Sequence, residues 1–543
     1  MEMPGSPLAY VPGTVFADWR EHQKETVAWA VDEFERGRKF VAFDGPTGYG
    51  KSLTAVMTGK LLRAQTLYVV HSKQLQDQLA KDFPDCAVLK GRANYSCKGY
   101  HGLTCDLCGH EPSNPCEFAG IPEYDGDRFI GWREFPRCNY KVAKLEALQA
   151  PLVVVNYALL LAEANYVGLL SNWPLIVLDE ADMADGCVTS HVTLDITRNA
   201  LEYYEIDPPD DTTSLASWEA WVDGALIRLD DEYHKHATKI DEARLLLVEP
   251  SKNSIDGLKK VKTLIEKIKA FQAWVDEDWV LDGDDENSTW IFKPKWADKI
   301  AERILMRHSS RILAMSGTMP LPKYWGSDLG IDPEEIAFRE IESTFPVENR
   351  PVIVKNVVMM TYSPSKEGRY EKYEKLVEAI DDILDRHSGD KGIVHTISNE
   401  LRDYIMNNSR HGDRMISHST KDRGRVAEDF MASREPLALV SPSFSRGLDL
   451  KYDRGRFQII CKLPYASLGD LQTRERANDG QRGSDWYKGM AARDLVQMAG
   501  RIVRAKDDWG RTYILDGRFW TFYKNNLRFF PKHFKLAVTL VDR

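Results

Sequence analysis

No stretch of the 543 residues is apolar and long enough to read as a membrane span. The longest candidate, residues 151–170, is interrupted by Asn156, Glu163 and Asn165, whereas a span needs ~20 mostly apolar residues. No secretion signal is expected either, because the opening MEMPGSPLAYVPG has no basic stretch and no apolar core. The expected location is therefore intracellular and cytoplasmic, with no membrane partner. Positive charge is not in excess: 72 Lys and Arg stand against 82 Asp and Glu, a net charge of −10. That argues against a protein that coats nucleic acid through its bulk field. A local basic groove stays open, since screening confines each patch to ~8 Å at physiological salt. Internal repeats and low-complexity tracts are lacking as well. With 43% hydrophobic and 28% charged residues, the chain has a soluble globular balance, and at ~150 residues per domain it holds three to four domains.

Cysteine is scarce, eight residues in all, but Cys97, Cys105, Cys108, Cys116 and Cys138 fall close together. In an intracellular chain such a cluster points to metal binding more than to a disulfide framework. Cys105-Asp106-Leu107-Cys108 is a chelating C-x₂-C pair, and Gly/Pro-rich loops bring the other three within reach. Four thiolates suit a [4Fe–4S] cluster or tetrahedral Zn²⁺, and spacing does not choose between them. Cys86, Cys187 and Cys461 sit in or beside apolar sequence and read as core residues.

The rest of the chain alternates apolar runs with helical patterns. Residues 19–34 predict a helix, 39–43 a strand, then a glycine-rich loop and a second helix; 66–70 and 73–83 continue as strand and helix. Such alternation implies a parallel sheet. Residues 84–150 break the rhythm, and 152–155 and 175–178 read as buried strands. Between 190 and 290, Leu258, Val261, Ile265, Ile268 and Phe271 recur at helical spacing, ahead of an acidic stretch from 276 to 286 read as a solvated tip. Strand-like runs resume at 312–315, 352–358, 392–395, 437–440, 458–461 and 512–515.

Three motifs carry chemistry. Gly45-Pro46-Thr47-Gly48-Tyr49-Gly50-Lys51-Ser52 fits G-x-x-x-x-G-K-[ST] between a strand and a helix. Its glycines let the backbone N–H groups turn towards phosphate, Lys51 would reach the β- and γ-phosphates, and the Ser52 hydroxyl would hold Mg²⁺. Asp179-Glu180 ends a buried run, which places Asp179 towards Mg²⁺ and Glu180 on the attacking water. Gln497-Met498-Ala499-Gly500-Arg501-Ile502-Val503-Arg504 sets two arginines at i and i+3, expected on one helix face, where guanidinium can stabilise charge on a transferring phosphoryl.

Together with further segments along the sequence these motifs resemble the XPD/DinG family of superfamily 2 helicases, over nearly the whole chain. Arg20-Glu21-His22-Gln23 resembles an adenine-sensing element, so Arg20 and Gln23 join Gly45, Thr47, Gly48, Gly50, Lys51 and Ser52 as expected nucleotide-binding residues. The segment from His71 to Gln78 is similar to the first DNA-contacting motif. Lys90 to Tyr95 with Cys97, and Cys138-Asn139-Tyr140 with 155–160, resemble the two ends of the iron–sulfur insertion. Ser316-Gly317-Thr318 is similar to the coupling motif, and 343–350 to the segment leading into the second motor. Gly447 and Asp449 lie in a motif that touches ATP and DNA, with Gln497 on the nucleotide. Lys462 to Tyr465 and Trp486-Tyr487 match further family segments. Asp182 stands where the family usually has His, Gly317 where it has Ala, and five cysteines compete for four places, with Cys138 the firmest.

The resemblance implies an α/β fold of two RecA-like motor domains. The expected first motor is 1–84, 150–189 and 290–330, with a cysteine-rich Fe–S insertion at 85–149 and a helical arch insertion at 190–289; the second motor is 331–543. It further implies a monomeric helicase using ATP and Mg²⁺, moving 5′→3′ on single-stranded DNA and unwinding forked DNA, with replication or repair proteins as further partners. Lys51, Asp179, Glu180, Arg501 and Arg504 are the expected catalytic set. The [4Fe–4S] cluster is favoured over Zn²⁺ on the same grounds. Two other functions fit the fold: a DNA-stimulated ATPase that remodels protein–nucleic acid complexes, and a DinG-like nuclease, for which no added N-terminal domain with paired acids is seen. A redox sensor that switches the motor through the cluster is a third.

Overall fold

The structure, a computed structural model, describes residues 5–99, 102–107, 116–125, 128–167, 170–246, 248–284, 288–444 and 448–540. Two seven-stranded sheets, each parallel throughout, organise it. The first runs in the order Ile336–Glu340, Phe40–Asp44, Ile312–Ser316, Leu175–Asp179, Thr66–Val70, Leu152–Asn156, Ala87–Val88. Its central strands are buried along their whole length, as a sheet covered on both faces demands, which is why they read as unbroken apolar runs. Because all strands point one way, their C-terminal ends share one edge, and the phosphate loop, Asp179-Glu180 and Ser316-Gly317-Thr318 all emerge there. The second sheet runs Met415–Ile416, Ala438–Ser441, Gly392–His395, Phe457–Ile460, Arg511–Asp516, Val352–Val358, Val538–Leu540.

Several expected boundaries move. Ile336–Glu340 pairs in register with Phe40–Asp44, Phe40 opposite Ile336, so the first motor continues past residue 330. Ala87–Val88 pairs with Val153 and Val154, so the first sheet also reaches into the segment assigned to the cysteine-rich insertion. The second insertion is not purely helical. Its long helices, Leu215–Leu245 and Lys252–Trp274, pack on an antiparallel sheet of Leu194–Thr197, Thr289–Pro294 and Trp279–Asp284. Trp218, Trp290, Phe271 and Phe292 fill the space between them. The expected limit at 289 therefore falls inside a strand. Part of the acidic stretch is likewise structural: Asp276 and Asp278 pair with Lys299, and Asp282 accepts the Leu471 N–H. Residues 285–287 lie outside the described residues.

The hairpin arm of that sheet also bridges to the second motor. Lys293 pairs with Asp470 at 2.7 Å, and the Trp296 indole N–H donates to Asp479 at 2.7 Å. The Arg482 guanidinium lies 3.9 Å from the centre of the Trp296 ring. Near the C-terminus, Phe519, Phe522, Phe530 and Phe534 are buried and close the core of the second motor. Lys532 reaches back to Glu342 beside the first sheet. No helix among the described residues is long and apolar enough to cross a membrane.

Candidate active site at the seam of the two sheets

The phosphate loop leaves Phe40–Asp44 and enters the helix Lys51–Leu61. Gly48 and Gly50 have φ of +79° and +90°, backbone that L side chains rarely adopt. Neither could carry a Cβ, since Phe345 lies against Gly48 and the Gln23 amide against Gly50. The loop is held from outside. The Gln23 amide donates to the Tyr49 and Gly50 carbonyls at 2.9 and 3.1 Å, and Arg20 donates to the Gly48 carbonyl. Lys51 Nζ donates to the Gly45 carbonyl at 3.3 Å, folded back over its own loop. Gly317 sits opposite, and a Cβ there would lie 3.6 Å from the Gly45 oxygen and 3.7 Å from Lys51 Nζ, ordinary contacts. The change from the family's Ala is thus sterically neutral.

Beside the loop, Asp179 accepts a hydrogen bond from the buried Tyr68 hydroxyl at 3.1 Å, and Ser52 lies within reach of that hydroxyl. Burial pushes the Asp179 carboxyl up to about 6, with Glu180 adding to the rise and Lys51 opposing it. A cation at this point would draw it back down. Glu180 itself has a φ of +49°, a left-handed residue held at the end of a strand. The Ser316 hydroxyl donates to Asp182 at 2.7 Å and to Glu180 at 3.1 Å, and the Thr318 hydroxyl donates to Asp182 at 3.1 Å. Asp182, where the family has His, is therefore an acceptor for both hydroxyls of the coupling motif.

The second motor completes the seam. The Gln497 amide donates to the Thr318 hydroxyl at 2.9 Å and lies 3.5 Å from Glu180. Gly500 approaches Thr47 so closely that a Cβ would lie 3.1 Å from its hydroxyl. The arginine motif departs from expectation: the helix Gly480–Ala499 ends before Arg501, with Gly500 at its cap. The arginines thus follow the helix end and do not share a helix face. Arg501, 8% exposed, donates to the Leu448 carbonyl at 3.2 Å within its own domain. Arg504 pairs with Asp449 at 3.3 Å and feels the charge of Glu180 across the seam. Gly447 lies outside the described residues. The space between Pro46, Thr47, Gly317, Arg350, Gly500 and His533 is only about 60 Å³, far below the ~300 Å³ at which small-molecule sites begin.

Of the cysteines, Cys105 and Cys138 bring their sulfurs to 3.8 Å, and the Cys97 charge acts on Cys105. Burial and these neighbours push the Cys105 thiol up to about 12. Cys116 accepts the Phe118 N–H at 3.4 Å, and Phe118 in turn accepts from the Cys138 N–H at 2.8 Å. Cys108 lies outside the described residues. Among the described residues no three His, Cys, Asp or Glu side chains converge as ligands. The donor set nonetheless fits a thiolate-bound metal, because crowded, half-buried thiolates repel one another unless a cation lies between them. Cys461 is buried, while Cys86 and Cys187 are half-buried.

Asp44, Tyr68, Arg350 and His533 also belong to this site and were not singled out from sequence. Tyr68 reads as one more apolar strand residue, and His533 lies among aromatics 482 positions from Lys51. Burial and the neighbouring Arg350 and Lys51 hold His533 down at about 3. Only the folded chain brings them together.

Two family models match the chain: a helicase C-terminal domain over residues 386–536 and the res subunit of type III restriction enzymes over residues 16–181. A probable ATP-dependent helicase from Methanocaldococcus jannaschii is 22% identical, over 92% of each chain. The ATP-dependent DNA helicase YoaA from Haemophilus influenzae is 22% identical over 91% of this chain and 90% of its own. A solved XPD helicase superposes with a TM-score of 0.66 at 16% identity, covering 96% of this chain and all of that one.

Proposed function

The chain belongs to the XPD/DinG-like superfamily 2 helicases and is an ATP-hydrolysing enzyme, and we propose that it is a motor that moves 5′→3′ along single-stranded DNA and unwinds forked duplexes. The observation that carries the reading is the hydrogen-bonded chain across the seam: Gln497 of the second sheet on Thr318, and Thr318 and Ser316 on Asp182 and Glu180 of the first. A bond network shared by two bodies differs between their open and closed arrangements, so nucleotide state and interdomain geometry are linked.

In the closed arrangement the loop N–H groups and Lys51 would grip the β- and γ-phosphates, with Arg20 and Gln23 holding the loop in shape. Ser52 and Asp179 would hold Mg²⁺, which supplies charge neutralisation on the phosphates. Glu180 would orient the attacking water. Arg504, already within electrostatic reach of Glu180, would stabilise the transferring phosphoryl, and Arg501 would join it by exchanging the Leu448 carbonyl for a phosphate oxygen. Parting the sheets breaks the Gln497–Thr318 bond and opens the 60 Å³ space.

Four of Cys97, Cys105, Cys108, Cys116 and Cys138 would hold a [4Fe–4S] cluster, with Zn²⁺ the alternative. Such a group acts as a staple for the insertion and takes no part in hydrolysis. The insertion at 190–289, extended to Pro294, would form an arch past which one strand is led. The test is ATP turnover with and without an oligonucleotide, alongside a fluorescent forked-duplex assay. We expect single-stranded DNA to stimulate turnover and the duplex to separate, and Lys51→Ala to abolish both. Turnover indifferent to DNA, or unwinding that survives Lys51→Ala, would overturn the motor; turnover without strand separation would leave a remodelling ATPase.

A further inference from the structure

Two large cavities lie between the motors, and the helix Gly480–Ala499 forms the wall between them. One, about 590 Å³, opens between His71, Tyr157 and Thr189 of the first motor, with Ser190 beside them, and Arg476 and Met490 of the second. The other, about 510 Å³, reaches Tyr324 and Asp328. Arg493 lines both.

Of the two arginines that line the larger cavity, Arg476 is committed, and so are two that line the smaller one. Arg476 pairs with Asp185 at 3.3 Å, Arg482 with Asp298 at 2.8 Å, and Arg528 with Asp485 at 2.8 Å. Arg493 differs: among the described residues it has no hydrogen-bond partner and no carboxylate at ion-pair distance, although Asp328 feels its charge. Its guanidinium is half-buried and faces the cavities, and guanidinium is the side chain that matches a phosphodiester with two parallel donors. Position adds a second argument. Arg493 stands one helical turn before Gln497, the residue that bonds Thr318 across the seam, so the two share a helix face. Asp328, on the other side of the wall, lies in the helix Pro322–Leu329, which directly follows the Ser316-Gly317-Thr318 motif.

We propose that single-stranded DNA runs through the larger cavity and that Arg493 takes one of its backbone phosphates, thereby setting the helix that carries Gln497 against the hydrolytic site. The proposal rests on the motor reading above and names the residue through which the strand acts on turnover. With no strand, Asp328 draws the guanidinium towards the smaller cavity. A phosphate in the larger cavity draws it the other way, and the turn of helix beyond it moves with it. Arg493 is thus a strand-binding residue and, towards hydrolysis, a positioning one.

Binding of a fluorescein-labelled oligo(dT) to the full chain, measured across a KCl series for wild type, Arg493→Ala and Arg493→Lys, tests this. Losing one phosphate contact to a single strand lowers the slope of log K against log [KCl] by ~0.7. We expect that loss in Arg493→Ala and not in Arg493→Lys. At saturating oligonucleotide, turnover of Arg493→Ala should fall about tenfold with the KM for ATP changed less than about twofold. In the wild-type protein, an oligonucleotide carrying 4-thiothymidine should photo-crosslink to peptides containing Ser190 or Met490. An unchanged slope and turnover in Arg493→Ala, or crosslinks confined to other faces, would overturn the role of Arg493 while leaving a DNA-stimulated motor intact. Wild type that neither binds the oligonucleotide nor is stimulated by it would overturn both.

Discussion

Replacing Asp44 by Asn should remove about 1 kcal/mol from the pH dependence of stability between pH 7 and 8. Asp44 ends the first strand, 3% exposed, immediately ahead of the phosphate loop. Burial pushes its carboxyl from 3.8 up to about 8; Glu340 and Asp182 add to the rise, and the Met319 N–H and Lys51 only partly offset it. The folded protein therefore keeps a proton that the unfolded chain releases above about pH 4. The stability this proton represents is fully present below pH ~4 and is lost as pH rises through the folded value, at up to ~1.36 kcal/mol per unit. Between pH 7 and 8, approaching the folded pKa, the loss is about 1 kcal/mol. Asp179 and Asp328, raised to about 6 and about 7, act in the same sense but mostly at lower pH. Buried histidines such as His395, held down at about 3, act in the opposite sense and are nearly finished by pH 7. These groups are common to both proteins, so the difference between wild type and Asp44→Asn over the interval from 7 to 8 isolates Asp44. Asn keeps the oxygen that accepts from the Met319 N–H at 3.3 Å and has no proton to release. Urea unfolding followed by tryptophan fluorescence, without nucleotide, reads the difference. Across that unit of pH the wild type should lose about 1 kcal/mol more than Asp44→Asn does. An equal loss in both proteins would refute the assignment of a neutral carboxyl beneath the phosphate loop.

Gln497→Ala removes the 2.9 Å bond to Thr318 without touching the loop; ATP affinity should change little while DNA-stimulated turnover falls about tenfold, read by steady-state kinetics. Cys138→Ser should lower metal content per chain, measured by elemental analysis of anaerobically purified protein, together with any absorption near ~400 nm, a band that zinc-bound thiolates lack. Unchanged metal content would mean that Cys138 is the spare thiol.

What could be read from sequence was local. The phosphate loop needs only a strand, glycines able to take positive φ, and a helix, all within residues 40–61, so motif order alone puts Lys51 and Ser52 near Asp179. The strand Ile336–Glu340 is missed because its partner, Phe40–Asp44, lies 296 residues away and four of its five side chains are not fully buried. Arg501 and Arg504 were assigned to one helix face because i, i+3 spacing cannot reveal that Gly500 ends the helix. Asp44 shows the same limit in energy: its neighbours in sequence are apolar strand residues and glycine, whereas the groups that set its charge, Met319, Glu340 and Asp182, come from three other loops.

Those loops meet for a simple reason. In a parallel sheet every strand delivers its next loop to the same edge, so groups distant in sequence collect at one line outside the carboxyl ends. Here that line holds Asp44, Lys51, Asp179, Glu180, Ser316 and Thr318, and a second parallel sheet presents Gln497 and Arg504 to it. Asp182 belongs to the same logic. A carboxylate can accept from both Ser316 and Thr318 at once, as it does at 2.7 and 3.1 Å, whereas a neutral imidazole has a single acceptor nitrogen. With Asp182 as the hub, Thr318 gives its proton to the first motor and leaves its oxygen to accept from Gln497. The direction of every hydrogen bond in the chain is then fixed, running from the second sheet into the acids of the first.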